Sequence, residues 1–247
     1  MSEGAACMAA TASGADLTFQ TGAGHPLAID AVLFDLDGTL VDTAPDLAGA
    51  LNRVRRERGL PDMPVHALRP YASAGARGMI GAGLQIAPDH AEYPALRDAF
   101  LAHYAAALCI DSVLFDAVPE VLAALEARRL RWGIVTNKAT RFTTPLLAAL
   151  ALPSRPQVVV CGDTTPHAKP HPAPLVAAAA ALGVDPARCV YVGDAERDVI
   201  AGLAAGMQTL VARYGYIEPG DRPEAWRAHG HLASPRELLA WLPASAR

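Results

Sequence analysis

The chain has 247 residues, 52% of them hydrophobic and 19% charged, and a formal net charge of −4. That length allows one large domain, or one domain carrying a small insert. Charge is weak and free of long runs of one sign, which argues against a nucleic-acid or membrane-surface partner, and no stretch approaches the ~20 apolar residues that span a bilayer.

Residues 1–27 are small, polar and rich in Gly, Ala and Thr. They lack the basic and apolar regions of a secretory signal and read as a flexible extension. The four cysteines, Cys7, Cys109, Cys161 and Cys189, show no C-x-x-C spacing. Cys161 and Cys189 lie in apolar runs and are expected to be buried thiols, which fits a reducing cytoplasm.

The first predicted strand, 31–34, is an apolar run that ends on Asp35 and Asp37, followed by Gly38 and Thr39. A continuous apolar run reads as a strand buried on both faces, as in a parallel sheet. Ligands sit at the carboxyl ends of such strands, and two acids there are expensive to desolvate without a cation or donors. Residues i and i+2 share a side, so Asp35 and Asp37 can converge on one ligand. Gly38 lets the chain turn and Thr39 offers a hydroxyl. On these residues alone, the Asp37-Gly38 pair is equally a turn before a helix.

Three helices follow without an intervening strand. The first, 44–60, is expected to be capped by Thr43 with Pro45 in its first turn. The second lies within 73–85, with Arg77 in its first turn and Met79, Ile80 and Leu84 as its apolar stripe; the third spans 93–108. Together they predict a helical insert, 44–115, able to close over a site.

Beyond residue 116, helices and strands alternate, the pattern of a parallel α/β sheet. Strands are expected at 131–136, 157–161, 189–193 and 208–212, which with the first makes five. Each of the first four ends in a residue with chemistry. The 131–136 strand offers Thr136 and Asn137, with Lys138 next. Lys169 follows the third on a loop held by Pro166, Pro170 and Pro172, which also carries His167 and His171; with no third ligand nearby these are loop histidines rather than a metal pair. Asp194 and Asp198 follow the fourth, though Asp194 is equally a plausible helix N-cap.

The string Asp35-Leu36-Asp37-Gly38-Thr39-Leu40-Val41-Asp42-Thr43, with Thr136, Lys169 and Asp194/Asp198 in that order, resembles the four motifs of the haloacid dehalogenase (HAD) superfamily of phosphatases. The resemblance covers 29 to about 242. It implies a Rossmann-like core of 28–43 and 116–247 with a helical cap domain of 44–115. It also assigns roles. Asp35 attacks phosphorus to give an aspartyl-phosphate, and Asp37 is the acid and then the base. Thr136 binds a phosphoryl oxygen, Lys169 holds Asp35 and the phosphate, and Asp198 orients Lys169. Mg²⁺ is expected on Asp35, Asp194 and the main chain of Asp37, and Gly38, Thr39 and Asn137 are expected at the substrate. The second acid, Asp37, favours phosphoryl transfer over dehalogenation.

Within the superfamily the chain looks most like the phosphoglycolate phosphatases, through DLDGTLVDTAPDL, VTNK, the KPHP loop and Tyr214-Gly215-Tyr216. It looks equally like their sister N-acetylmuramic acid 6-phosphate phosphatases, through Gly75-Ala76-Arg77 and Tyr214-Gly215-Tyr216-Ile217. Both substrates carry a carboxylate, which Arg77 could read. Arg77 is equally a candidate surface or salt-bridge residue. A sugar phosphomutase related to β-phosphoglucomutase shares the acid pair and cap. The resemblance therefore implies a cytoplasmic, Mg²⁺-dependent phosphomonoesterase, monomeric or homodimeric, with a small-molecule ester as partner and neither nucleic acid nor membrane; 2-phosphoglycolate is the first expected ester, and N-acetylmuramic acid 6-phosphate or a sugar phosphomutase activity the alternative. Ala139 and Ala195 depart from the pattern, standing where Pro and a polar residue are usual, and neither removes a catalytic group.

Overall fold

A computed structural model describes residues 29–242; the extension expected at 1–27 lies outside them. The core is a six-stranded parallel sheet. In chain order its strands and their neighbours are β1 (Ala31–Phe34), the short β2 (Val41–Asp42), β3 (Val113–Leu114), β4 (Arg131–Val135), β5 (Val158–Val160), β6 (Cys189–Gly193), β7 (Gln208–Ala212) and β8 (Gly230–Leu232). The sheet order is β5-β4-β1-β6-β7-β8, while β2 and β3 pair with each other, antiparallel. Five strands were expected here; the sixth, β8, escapes a periodicity reading because its three residues include an exposed histidine, His231.

β1 is central and apolar throughout, with every residue buried, as both faces are covered by helices. On one face Val32, Phe34, Trp132, Ile134, Val190 and Val192 pack with Leu122 and Leu125 of the helix Val118–Ala127. On the other, Leu33 and Tyr191 meet Leu175 and Ala178 of the helix Ala173–Leu182. Cys161 and Cys189 are buried free thiols, as their apolar settings suggest.

The β2/β3 pair brackets the helical insert. Its helices are α1 (Ala44–Glu57), α2 (Val65–Leu68), α3 (Gly75–Leu84) and α4 (Tyr93–Ala106), with a 3-10 turn, Arg69–Ala74, between α2 and α3. Leu47, Leu51, Val54, Met79, Ile80, Leu96 and Phe100 form its interior, and Phe142 and Tyr216 of the sheet domain complete the same cluster. α2 and the 3-10 turn were not foreseen, because the prolines at 61, 64 and 70 obscure any helical period.

The start of α1 corrects one expectation. Thr43 occupies the N-cap position but does not cap; its Oγ1 donates to Asp37 Oδ1 at 2.5 Å. The buried phenol of Tyr216 takes over, accepting from the N–H groups of Thr43 and Ala44 at 2.7 and 2.9 Å. It passes its own proton to Asp42 Oδ1 at 2.8 Å, and Asp42 is gripped in a two-pronged pair by Arg69, both contacts at 2.8 Å. Further along α1, buried Asp46 accepts from the N–H groups of Ile110, Asp111 and Ser112 and from the Ser112 hydroxyl. The Tyr216 and Arg69–Asp42 contacts thus tie the insert to the sheet domain at its entry, while Asp46 ties the two ends of the insert to each other.

Candidate active site

Strand register decides what meets at the carboxyl edge. Phe34 is level with Ile134 on one side and Val192 on the other, so Asp35, Thr136 and Asp194, the first residues beyond β1, β4 and β6, leave the sheet at neighbouring strand ends. Asp35 and Thr136 are each 3% exposed and Asp194 is fully buried. The glycines here are demanded by closeness. A Cβ on Gly38, whose φ is +79°, would fall 1.9 Å from Asp194 Oδ2, and one on Gly193 would fall 2.4 Å from the Asp198 Cβ.

Lys169 is the centre of this edge. Its side chain is 0% exposed and its Nζ lies 3.0 Å from Asp35 Oδ1 and 2.8 Å from Asp198 Oδ1. It also donates to the Val135 carbonyl at 2.9 Å and to the Tyr191 hydroxyl at 2.6 Å. The loop that delivers it is held by more than prolines. The Asn137 amide accepts from Lys169 N–H at 3.0 Å and donates to Lys169 C=O at 2.8 Å.

Asp37 faces a second cation. Its carboxylate receives the Thr43 hydroxyl and lies 3.0 and 3.3 Å from Lys138 Nζ, which also sits 4.6 Å over the Tyr104 ring of α4. Burial works against the charge on Lys138, but the Asp37 carboxylate, with the Tyr104 hydroxyl, outweighs it, and its pKa is raised. Burial likewise pushes the Tyr104 hydroxyl up to about 12. Lys138 is thus an ammonium at any ordinary pH and a fixed partner for Asp37.

The three acids at the edge do not share one state. Burial, and then the charges of Asp35 and Asp198, push the Asp194 carboxyl well above the usual carboxylate range. Asp35 is also raised, by burial, with Lys169 opposing. Asp198 is buried too, but Lys169 and Arg197 hold it below the ordinary value. Its oxygens are taken, Oδ1 by Lys169 and Tyr191 and Oδ2 by Ala195 N–H at 3.0 Å. One oxygen from each of Asp35, Asp194 and Asp198 lies within 4.8 Å of the others. Raised acids among clustered hard oxygens mark a site short of positive charge, which is the chemistry of a divalent cation such as Mg²⁺. Asp194 and Asp35 fit that cation; Asp198, already saturated, fits the orienting place beside Lys169.

A cavity of about 620 Å³ opens onto this edge, walled by Asp35, Asp37, Thr136, Lys138 and Lys169 from the sheet domain and by Ser73 and Arg77 from the insert. Two of the residues expected at the substrate are off the cavity wall. Gly38 and Thr39 are buried and do not line the cavity, since the chain turns inward at Gly38 to pack on Asp194 and Tyr216. Asn137 does line it, but its side-chain amide is engaged by the Lys169 main chain. Arg77 reaches the wall, exposed, with no hydrogen bond or ion pair to any other described residue. Sequence reasoning gave no role to Lys138, Tyr191, Ser73, Arg197 or the Asp42–Arg69 pair. Lys138 had a signal, as a cation at a strand end; Tyr191 reads only as a core aromatic.

A family model described as haloacid dehalogenase-like hydrolase matches residues 29–206. The chain belongs to the haloacid dehalogenase-like hydrolases. Among curated relatives of this HAD-like chain, an N-acetylmuramic acid 6-phosphate phosphatase from Pseudomonas aeruginosa is 42% identical over 85% of this chain and 93% of its own. A phosphoglycolate phosphatase from Xanthomonas campestris pv. campestris is 43% identical over 87% of this chain and 96% of its own. A solved structure from Haemophilus somnus, described as a predicted phosphoglycolate phosphatase, superposes with a TM-score of 0.74 at 26% identity, covering 86% of this chain and 97% of the other. This HAD hydrolase is a phosphomonoesterase, and none of its described helices is long and apolar enough to cross a membrane.

Proposed function

We propose that this hydrolase removes phosphate from a small ester whose alcohol carries a carboxylate, with Mg²⁺ as cofactor and Asp35 as nucleophile. The observation that carries this is the Lys169 clamp, one buried ammonium between Asp35 and Asp198, set in the same cavity as a second acid, Asp37. A carboxylate and a phosphate dianion repel each other. Lys169 offsets part of that charge, and a divalent cation on Asp35, Asp194 and the Asp37 carbonyl would supply the rest by neutralising the phosphoryl oxygens.

In this reading the Asp35 oxygen attacks phosphorus and the ester P–O bond breaks, leaving an aspartyl-phosphate. Asp37, held by Thr43 and Lys138, protonates the departing alkoxide once it has itself taken up a proton and, as the carboxylate so left, takes a proton from the water that cleaves the intermediate. The Thr136 hydroxyl, whose oxygen already accepts from Lys138 N–H at 3.2 Å, has its proton to offer a phosphoryl oxygen. The helices of 44–115 act as the cap, and 28–43 with 116–247 as the core.

Two esters answer the description, 2-phosphoglycolate and N-acetylmuramic acid 6-phosphate. The size of the cavity favours the second, since about 620 Å³ is in the range that encloses a drug-sized molecule and far exceeds what a two-carbon ester fills. Phosphate release is measured from both esters, with Mg²⁺ and with EDTA, for the wild type and Asp35→Asn. Metal-dependent release, lowered on the order of 10³-fold or more in Asp35→Asn, supports the mechanism, and the ester with the higher kcat/KM identifies the substrate. Absence of release from every ester, or transfer of phosphate to a sugar in its place, overturns it in favour of a mutase or an inactive relative.

A further inference from the structure

Ser73 belongs to the insert, yet it touches the acid cluster of the sheet domain. Its Oγ donates to Asp194 Oδ1 at 2.8 Å, while Asp194 Oδ2 accepts from Tyr216 N–H at 2.9 Å. The direction of the Ser73 proton is fixed by a third group. Arg197 Nη2 donates to the Ser73 carbonyl at 2.8 Å and to its Oγ at 3.1 Å. With a guanidinium on its lone pair, the hydroxyl has its proton left for Asp194.

We infer that Ser73 is a positioning residue of the metal site and makes closure of the insert and occupancy of that site one linked equilibrium. The inference rests on the metal reading above. Asp194 is the acid of the cluster that has no cation in direct contact: Lys169 lies against Asp35 and Asp198, and Arg197 bonds to Ser73 rather than to a carboxylate. Its two oxygens are aimed by two hydrogen bonds, one from the sheet domain and one from the insert. A carboxylate aimed in advance loses less freedom on taking a cation, which is how groups behind the ligands raise metal affinity. By the reciprocity of linkage, a cation on Asp194 must then favour the arrangement that brings Ser73 in.

The 3-10 turn that carries Ser73 offers an internal control. Its other end is anchored by the Arg69–Asp42 pair, which touches none of the three clustered acids. Losing Ser73 Oγ therefore removes the contact with Asp194 while leaving the turn attached.

The test uses the full chain without substrate. Mg²⁺ affinity is measured by calorimetry, and amide exchange of residues 69–84 is followed with and without Mg²⁺, for wild type, Ser73→Ala, Ser73→Thr and Asp194→Asn. The expected result is Mg²⁺ affinity about tenfold weaker in Ser73→Ala, with the Mg²⁺-induced protection of 69–84 lost and both restored in Ser73→Thr. Equal affinity and equal protection in Ser73→Ala and wild type overturn the coupling alone. Mg²⁺ that loosens 69–84 in the wild type also overturns it, because the hydroxyl would then compete with the cation. Absence of Mg²⁺ binding to the wild type sinks the metal reading itself. Melting curves in EDTA, unchanged by Ser73→Ala, separate the inference from a purely structural role.

Discussion

Lys169 and Arg77 line the same cavity and carry the same charge, yet they are held in opposite ways. Lys169 is 0% exposed at its side chain, with two carboxylates, a carbonyl and a phenol around its ammonium. Arg77 stands exposed on the insert and is paired with no described residue. A cation whose partners are all built into the fold can have only one position, so it serves a step common to every substrate. A cation left unpaired is free to take a partner from outside, and a group so placed can distinguish one substrate from another.

The most severe way to break this contrast is Lys169→Met. It leaves Asp35 and Asp198 facing each other in a buried space, and breaking a buried ion pair from one side costs about 3–5 kcal/mol. The expected outcome is a large fall in melting temperature together with loss of turnover. If the variant keeps wild-type stability, the clamp is not what holds these acids in place.

A smaller effect, of opposite sign, is expected at Asp194. Its carboxyl is raised well above the ordinary value by burial and by neighbouring acids, so in the metal-free protein the folded state binds its proton more tightly than the unfolded chain does. Stability from that group is full below the unfolded pKa of 3.8 and is lost as pH rises through the folded value. The contribution of Asp194 to metal-free stability should therefore fall as pH rises above the unfolded value, and saturating Mg²⁺ should remove that fall. Asp194→Asn should flatten that dependence, because an amide stays neutral at every pH while its oxygen can still accept from Tyr216 N–H. It should also abolish Mg²⁺ binding, beyond the ~10–100-fold cost of losing a group behind the ligands. The same pH dependence in metal-free wild type and Asp194→Asn would contradict the assignment.

Legibility in the sequence follows the same contrast. The sheet was readable because its strands are continuous apolar runs that end abruptly on Asp35, Thr136 and Asp194, and parallel register must bring neighbouring strand ends together. Lys169 was readable as a fixed cation, though the prolines around it suggested a cause that is only part of the truth, since the Asn137 amide pins the loop. What the residues could not reveal was contact between distant segments. Tyr216 replaces Thr43 as the cap of α1 across 173 residues, and Ser73 meets Asp194 across 121. Neither leaves a periodic or local trace. Gly38 and Thr39 were misplaced for a related reason: a turn that follows two acids can face the ligand or the interior, and the choice is made by Asp194 and Tyr216, which pack against it.

The smallest effect, and the one that would sharpen the contrast most, is expected from Arg77→Ala. The Arg77 side chain has no partner among the described residues, so its removal should leave the stability within about 0.5 kcal/mol of wild type. If its guanidinium receives the carboxylate of the substrate, the loss is that of a charge-assisted hydrogen bond, roughly 1.5–3 kcal/mol, or about 10–150-fold in kcat/KM. That loss should fall on esters that carry a carboxylate and spare p-nitrophenyl phosphate, which has none, whereas Lys169→Met should impair both alike. Comparing the two variants across the two classes of ester therefore separates charge that serves the phosphoryl group from charge that reads the alcohol. An equal loss on both esters in Arg77→Ala would place the guanidinium with Lys169, at the phosphate.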